Sequence, residues 1–434
     1  MKNNIRFILN LANIILLSII YLVTVRYATG LDSFREISPY LSLGYLIVVA
    51  YLSGGIARFF SLPSLSGYII AGILFGPPFL GLIASADIHS LELINSLALS
   101  FIAITAGGEL RIASLRKNIK AILSITAFHT AVIFTGIFAV FFFLFKTTRL
   151  LPLSDSYAAI SFALLLGTLA LANSPSSTIA IISEYKSRGD FTDIVLSVTM
   201  LKDTVVLVFF ALVLSFVQGL YSGKAIDLPF LADILGNLFI SGCAGVLYGF
   251  LMILFFKFVA REITVFIVLA SFAAHELAHF AGIEHMFMCM VAGFTVQNLS
   301  RRGSLMIEAI ENSNLPIYVV FFAIAGAGLD FSSFAAFFPL IMGFVVFRCF
   351  FIALATFAGA RLASSSKTIT RYCWTGFIAN AGLALSMLIV VEGKFPGWGN
   401  VFKSILITSI AINQIIGPII FKYGIMKSGE ARKL

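Results

Sequence analysis

Charged residues are scarce in this sequence of 434 residues. Lysine, arginine, aspartate and glutamate together make up 11% of it, whereas a typical soluble domain contains roughly a quarter. Hydrophobic residues account for 60%, and the mean hydropathy is +1.03. This balance excludes a water-soluble globule and a disordered chain, because neither carries so large an apolar fraction. The composition predicts a polytopic membrane protein built from α-helices.

Cysteine is also rare, which argues against a disulfide framework. The sequence has four cysteines, all in apolar stretches and without the Cys-x-x-Cys spacing typical of metal or redox sites. We therefore expect reduced thiols that are buried in the protein. These residues are Cys243, Cys289, Cys349 and Cys373.

Long apolar runs, by contrast, are abundant. A helix needs about 20 apolar residues to cross the hydrocarbon core of a membrane, and we place fourteen such spans. The first is interpreted as a helix and not a signal peptide, because no small-residue cleavage site follows it. We expect an extra N-terminal helix and loop (1–39), a membrane domain (40–425) and a short cytoplasmic tail (426–434). The predicted spans are 7–25, 40–60, 62–83, 91–109, 119–145, 157–182, 191–220, 228–256, 262–281, 285–299, 315–329, 334–360, 372–392 and 401–421.

The formal net charge is +9, which in a soluble protein would suggest a nucleic-acid partner. Here most of the basic residues fall in loops that one orientation places on the same side of the membrane. Because cytoplasmic loops are enriched in lysine and arginine, we expect both termini in the cytoplasm and a location in the plasma membrane. The excess charge then needs no nucleic acid.

Three charged residues lie deep within predicted spans. Asp203 follows Asp193 by ten positions, which places it roughly 15 Å further along a helix. Lys202 precedes it directly, and Arg348 lies midway along the span 334–360. A charge at bilayer depth is costly and usually functional, although a buried ion-pair network that only joins helices is an alternative.

Two spans contain residues that interrupt helices. Proline removes a backbone donor, and polar neighbours can satisfy the freed backbone groups. One interrupted helix in each half of a transporter is typical of a midplane binding site between inverted repeats, whereas either interruption alone would be an ordinary kink. The first comprises Asn173, Ser174, Pro175, Ser176, Ser177 and Thr178, and the second runs from Ala379 to Gly382 and includes Asn380.

Several motifs, in order along the chain, carry a family resemblance. The segment Ser66–Pro77 reads SGYIIAGILFGP and resembles the "GYLLAGxLLGP" helix of monovalent cation–proton antiporters of the second subfamily, which includes Kef-type proteins. Ala106–Leu110 is similar to the family's "FxxGLEL", and Ser174–Thr178 to its unwound-helix signature. Phe321–Asp330 is similar to "FFxxxGxxLD". The resemblance spans roughly residues 40–425.

The resemblance implies a thirteen-helix antiporter fold of inverted repeats with two crossing broken helices, divided into a dimerisation domain and a moving domain. It implies a homodimer. By position, Asp203 matches the essential carboxylate that binds cation and proton in turn, and Arg348 matches the basic residue on the antepenultimate helix. Lys202 departs from the family pattern, in which aspartate, asparagine or glutamine precedes the carboxylate.

The sequence also contains a literal match to the HExxHxxGxxH zinc motif of metzincin proteases. It comprises His275, Glu276, His279, Gly282 and His285. Metzincin domains are soluble and contain a sheet, whereas this match joins the end of one apolar span to the start of another. We therefore expect no metal at His275, His279 and His285, and keep zinc proteolysis as a remote alternative.

These observations predict a secondary transporter, not an enzyme, that exchanges Na⁺ or K⁺ for protons in a lipid bilayer without a cofactor. Asp203 is expected to bind the ions, with Asn173, Ser177, Thr178 and carbonyl groups freed at the break as further oxygen ligands. Lys202 and Arg348 are expected to compensate charge. Two alternatives remain open: a non-transporting membrane sensor closed by a Lys202 ion pair, and an anion or organic-acid carrier that uses the two buried cations.

Overall fold

The computed structural model describes residues 2–28, 34–148, 156–222, 228–259, 262–329, 334–380, 383–395 and 398–431. Within these ranges the regular structure consists of eighteen α-helices, one π-helical turn and one 3₁₀ turn. The all-α prediction is therefore confirmed. Helices dominate because an apolar segment in a membrane must satisfy its backbone hydrogen bonds internally.

The first nine helices are α1 (Lys2–Ala28), α2 (Phe34–Phe59), α3 (Ser64–Phe75), α4 (Ser85–Ser90), α5 (Glu92–Glu109), α6 (Ile112–Phe128), α7 (Phe134–Thr147), α8 (Ser156–Leu169) and α9 (Pro175–Glu184). The other nine are α10 (Asp190–Ser222), α11 (Leu228–Phe258), α12 (Ile263–Ala281), α13 (His285–Leu299), α14 (Gly303–Ala327), α15 (Phe338–Leu362), α16 (Lys367–Tyr372), α17 (Leu383–Lys394) and α18 (Gly399–Ser428).

Eight stretches of described helix are long and apolar enough to cross a membrane. Further apolar helices are shorter, such as Ser64–Phe75 and Tyr157–Leu169. The predicted total of fourteen spans stays a prediction. One predicted boundary differs clearly: α14 begins at Gly303 and not near residue 315, because its first turns carry polar residues that a search for apolar runs passes over.

Backbone contacts divide the chain into two compact units. The first comprises Met1–Glu109, Ile179–Glu184 and Gly245–Ser332, and the second comprises Leu110–Thr178, Tyr185–Ala244 and Ser333–Leu434. One boundary falls within α9 and another within α11. Each unit is assembled from segments distant in sequence.

In the first unit, the extra N-terminal helix α1 is joined to α2 by polar contacts. The rings of Tyr21 and Tyr45 stack with centroids 4.3 Å apart. The hydroxyl of Tyr21 lies 2.8 Å from that of Ser42, which in turn donates to Asp87 at 2.6 Å. Ser18 and Tyr45 form a further hydroxyl pair at 2.7 Å. These bonds hold α1 against α2.

The same unit contains helix pairs that pack backbone to backbone. A Cβ placed on Gly107 of α5 would overlap the carbonyl oxygen of Met290 in α13, and one on Gly293 would overlap the carbonyl oxygen of Ile104. Small residues permit this close approach, which is typical of helix pairs in membranes.

The thiols are free, as predicted, but they are not all buried. Cys289 and Cys373 are buried, whereas Cys349 is half-buried and Cys243 is exposed. The prediction of burial is wrong for Cys243. An apolar sequence around a residue does not show whether its side chain faces the protein core or the outer surface of the helix bundle.

We expect Gly107→Leu to lower the melting temperature in detergent by several degrees. The added side chain has no space against Met290, and overpacking costs about 1–3 kcal/mol. Gly44→Leu is the matched control, because nothing lies within 4 Å of a Cβ at Gly44. Scanning fluorimetry of the purified variants measures the difference, and equal melting temperatures would contradict the packing of α5 on α13.

Candidate functional site

The first helix interruption lies between α8 and α9. Helix α8 ends at Leu169, residues 170–174 are not helical, and α9 begins at Pro175. The turn after α8 tightens, since the amide of Leu171 bonds to the carbonyl of Thr168 and that of Ala172 to Leu169. The carbonyl groups of Ala170 and Ala172 are thereby left without helical partners.

Local sequence explains why the chain restarts as a helix at Pro175. Proline suits the first helical position because its missing N–H needs no partner there. Ser174 precedes it as the N-cap, and its Oγ accepts from the amide of Ser177 at 3.2 Å. Thr178 Oγ1 donates to the Ser174 carbonyl at 3.1 Å and approaches the Gly376 carbonyl at 3.5 Å. These hydroxyl groups therefore form hydrogen bonds with backbone groups at the helix break.

The second interruption separates α16 from α17. After α16 ends at Tyr372, a 3₁₀ turn covers Cys373–Phe377, and residues 378–380 are not helical. Asn380 is buried here. Gly382, which we expected to contribute to this break, lies outside the described residues.

Arg348 connects the two interruptions. It is fully buried on α15. Its Nε donates to the Ala170 carbonyl at 2.9 Å, and Nη2 donates to the Ala172 carbonyl at 2.8 Å. Toward the second break, Nη1 donates to the Ile378 carbonyl at 2.6 Å, and Nη2 lies 3.4 Å from the Phe377 carbonyl and 3.3 Å from Asn380 Oδ1. One guanidinium therefore holds carbonyl groups from both broken helices.

The charge of Arg348 complements the helix ends that it contacts. The carboxyl end of a helix carries a partial negative charge, and the four carbonyl groups follow the ends of α8 and of the 3₁₀ turn. We expected freed carbonyls at the break to be ion ligands. The carbonyls of Ala170 and Ala172 accept hydrogen bonds from Arg348, because a planar fork with five donors matches several acceptors at once.

Lys202 contacts the same breaks from α10. It is 1% exposed, and its Nζ donates to Asn173 Oδ1 at 3.1 Å. The ammonium also lies 5.9 Å from the ring centroid of Phe377, within reach of a cation–π attraction. The side chain is thus directed toward both interruptions.

Asp203 follows on the same helix but differs in environment. Successive helical residues point about 100° apart, and Asp203 is partly exposed whereas Lys202 is buried. The side chain that we expected to bind ions is therefore the more accessible of the two, in the middle of a helix of 33 residues.

A buried asparagine accompanies each buried cation. Asn173 accepts from Lys202 at the first break, and Asn380 accepts from Arg348 at the second. Within the described residues, the Nδ2 group of each asparagine has no hydrogen-bond partner. The two breaks thus share one pattern, in which a cation donates to an asparagine oxygen and leaves its amide nitrogen available.

His129 borders this region and belongs to none of the sequence motifs described above. It is fully buried in the π-helical turn His129–Ile133, and its ring meets that of Phe377 edge-on at 4.8 Å. Thr356 Oγ1 gives its proton to the Ile352 carbonyl, so toward His129 Nε2 at 2.7 Å it acts as acceptor. Nε2 therefore carries the proton, and Nδ1 is left as a bare acceptor. One histidine within an apolar run was the only available signal.

The histidine motif lies at the junction of α12 and α13. The ring centroids of His275 and His285 are 5.1 Å apart, whereas His279 lies 6.4 Å from His275 and is exposed. Glu284 accepts from the amides of Met286 and Phe287 as the N-cap of α13. Across the described ranges, no three metal-ligating side chains are placed to hold one ion.

A match to a protein-family model identifies the class of protein to which this chain belongs. The model for "Sodium/hydrogen exchanger, transmembrane" matches residues 45–423. The chain belongs to this family. A member of the sodium/hydrogen exchanger family is a multi-pass membrane transporter that exchanges sodium ions for protons and is not an enzyme, which sets the zinc-protease interpretation aside.

Relatives of this exchanger-family chain agree with the match. A Na⁺/H⁺ antiporter of Enterococcus hirae is 23% identical over 386 residues, which cover 87% of this chain and 96% of that protein. The probable Na⁺/H⁺ antiporter GerT of Bacillus cereus is 30% identical over 179 residues, or 41% of this chain and 44% of that protein.

The fold of the exchanger-family chain also matches a solved structure. The sodium proton antiporter MjNhaP1 from Methanocaldococcus jannaschii, determined at pH 8, has a TM-score of 0.62 at 17% sequence identity. The match covers 90% of this chain and 96% of that one. The predicted antiporter fold is therefore confirmed, whereas the Kef-type subfamily stays a prediction.

Arg348→Gln is expected to lower the melting temperature by more than about 5 °C, because buried carbonyls that lose their donors cost about 1–3 kcal/mol each. Arg361→Gln is the control, since Arg361 is exposed on the same helix. Scanning fluorimetry in detergent compares the two variants. If both melt like the unsubstituted protein, Arg348 does not hold the breaks together.

Proposed function

We propose that this chain exchanges Na⁺ for protons by alternating access, with Asp203 as the group that binds the two ions in turn. The observation that carries the proposal is the position of Asp203. It is a partly exposed carboxylate in mid-helix, next to a buried lysine that is bound to the first helix break. A carboxylate within a membrane span is costly and therefore usually has a function in transport.

Coupling follows from the capacity of one carboxylate. A proton on a carboxylate oxygen of Asp203 removes the negative charge that attracts Na⁺, so each ion displaces the other. Hard cations prefer oxygen ligands, and we assign the hydroxyl groups of Ser177 and Thr178 and the oxygen of Asn173 as candidates. The carbonyls that Arg348 holds are not assigned to the ion.

We assign Lys202 and Arg348 as fixed charge-compensating groups. Arg348 offsets the carbonyl ends of both interruptions, and Lys202 adds a positive charge at Asn173. The hydrogen bond to Asn173 directs the lysine toward the break.

The family assignment favours antiport over the two other interpretations. A sensor closed by a Lys202 ion pair would have the lysine committed to a carboxylate, whereas its Nζ donates to the Asn173 amide oxygen. An anion carrier would need accessible cations at the site, yet Lys202 and Arg348 are both buried.

We infer further that the protein acts in the plasma membrane as a homodimer with both termini in the cytoplasm. The excess of basic residues on one side of the predicted spans supports the orientation. The resemblance to antiporters with a dimerisation domain supports the dimer.

Asp203→Asn is expected to abolish Na⁺-driven proton movement, because the amide can neither release a proton nor carry the charge that attracts Na⁺. The measurement is proton flux in liposomes with an imposed Na⁺ gradient. Asp193→Asn makes the same change in the first turn of the same helix and is expected to keep most of the flux. Undiminished exchange by Asp203→Asn would refute the proposed role.

Lys202→Asn is expected to lower the Na⁺ concentration for half-maximal flux several-fold, because a positive charge beside the site opposes cation binding. The same liposome assay measures this at fixed pH. Lys257→Asn, which removes an exposed lysine from α11, is the control. Unchanged flux in Lys202→Asn would make the lysine a bystander, and flux present only in that variant would favour a sensor.

A further inference from the structure

A cavity of about 660 Å³ lies in the second unit, where several helices end. Its walls come from the first turns of α6, the start of α10, the segment between α15 and α16, and the residues at the end of α18. The proposed ion-exchange site uses none of these residues. Its lining residues lie at or near the ends of four candidate membrane spans.

Five charged side chains line the cavity, three basic and two acidic, and both acidic ones are already engaged. Asp190 accepts from Lys117 Nζ, with the two oxygens at 2.7 and 2.8 Å. Glu430 caps the first turn of α10: its carboxylate accepts from the amides of Phe191 and Thr192 at 2.8 and 2.9 Å. Thr192 Oγ1 adds a third bond at 2.7 Å. Neither carboxylate is therefore free to attract a cation into the cavity.

Two of the basic side chains remain available. Arg116 and Lys120 are four residues apart, so they lie on the same face of α6. Both are exposed at the cavity wall. Among the described residues, neither takes part in a hydrogen bond or an ion pair. The five charged side chains therefore sum to a net charge of +1, and Arg116 and Lys120 are the two cations without an ion-pair partner among the described residues.

Hydroxyl groups also line the cavity. Ser364, Ser365, Ser366 and Thr368 line the cavity beside Asn118. Ser366 Oγ accepts from the amide of Ile369 as the N-cap of α16. The Oγ of Ser365 is enclosed, and within the described chain it has no hydrogen-bond partner. A buried hydroxyl without a partner costs free energy, and a ligand oxygen would remove that cost.

We propose that this cavity binds a phosphate group. A guanidinium, an ammonium and hydroxyl donors are the groups that recognise phosphate oxygens in proteins. The net positive charge of the lining, with two cations that have no ion-pair partner among the described residues, favours an anionic group over a metal cation. The group is either the headgroup of an anionic phospholipid or a free phosphate, which share this chemistry. Basic pockets near membrane surfaces commonly bind anionic headgroups.

The occupant would contact elements that meet at the start of α10. Bound between Arg116, Lys120 and Ser365, a phosphate would join α6 to the segment between α15 and α16 while Lys117 and Glu430 keep the first turn of α10 in place. Binding is therefore expected to stabilise the folded protein even without transport.

The test is a thermal-shift titration of the full chain in a neutral detergent. One arm adds inorganic phosphate, a second adds short-chain phosphatidylglycerol, and a third adds short-chain phosphatidylcholine at matched concentrations. Stabilisation by phosphatidylglycerol alone assigns the site to a lipid headgroup, and stabilisation by inorganic phosphate as well assigns it to the phosphate group itself. No response to either anionic probe, or an equal response to phosphatidylcholine, overturns the proposal.

Variants then locate the binding. The double substitution R116Q/K120Q is expected to weaken the response at least tenfold, and Ser365→Ala, which is small enough to leave the fold intact, several-fold. The control K257Q/R301Q removes two exposed cations at other helix ends and is expected to respond like the unsubstituted protein. An undiminished response in both R116Q/K120Q and Ser365→Ala, or an equal loss in the control, overturns the site. The titration needs no ion flux, so its result is independent of the transport proposal.

Discussion

The hydrogen bonds of Arg348 are the constraint on which the candidate site depends. A break in a membrane helix exposes carbonyl groups that neither lipid nor the helix itself can satisfy. Arg348 donates to carbonyls from both breaks, so the two interruptions are stable only together. Its charge also offsets two negative helix ends that would otherwise repel each other. The geometry of the breaks, and with it the surroundings of Lys202, follows from this one guanidinium.

The two buried cations, Arg348 and Lys202, have different kinds of hydrogen-bond partner. Arg348 donates to backbone carbonyls and so fixes the geometry of the two breaks. Lys202 binds one side-chain oxygen, that of Asn173, through an ammonium on a flexible stem. Lys202 thus places a positive charge at the first break without holding its backbone carbonyls.

The sequence was most informative where chemistry is local. Pro175 after Ser174 predicts the restart of a helix, since proline and an N-cap serine act through their own backbone, and Asp203 stands out because a charge in an apolar run is rare. Contacts made across the fold were not accessible in the same way. Nothing near Arg348 indicates that its partners are carbonyls at residues 170, 172, 377 and 378, and nothing near His129 indicates Thr356. Hydropathy also cannot predict that a side chain such as Cys243 lies on the outer surface of the protein, because apolar residues suit both a lipid-facing surface and a protein core.

The π-helical turn at His129–Ile133 has a consequence for the register of the long helix formed by α6 and α7. A π-turn accommodates one residue more than an α-turn, and so rotates everything beyond it by about 100° about the helix axis. On one side of the turn, Ser124 of α6 bonds to the carbonyl of Gly359 on α15 at 2.8 Å. On the other side, Phe141 of α7 meets Phe344 of the same helix. Residues on both sides of the π-turn thus contact the same neighbour, the helix that carries Arg348.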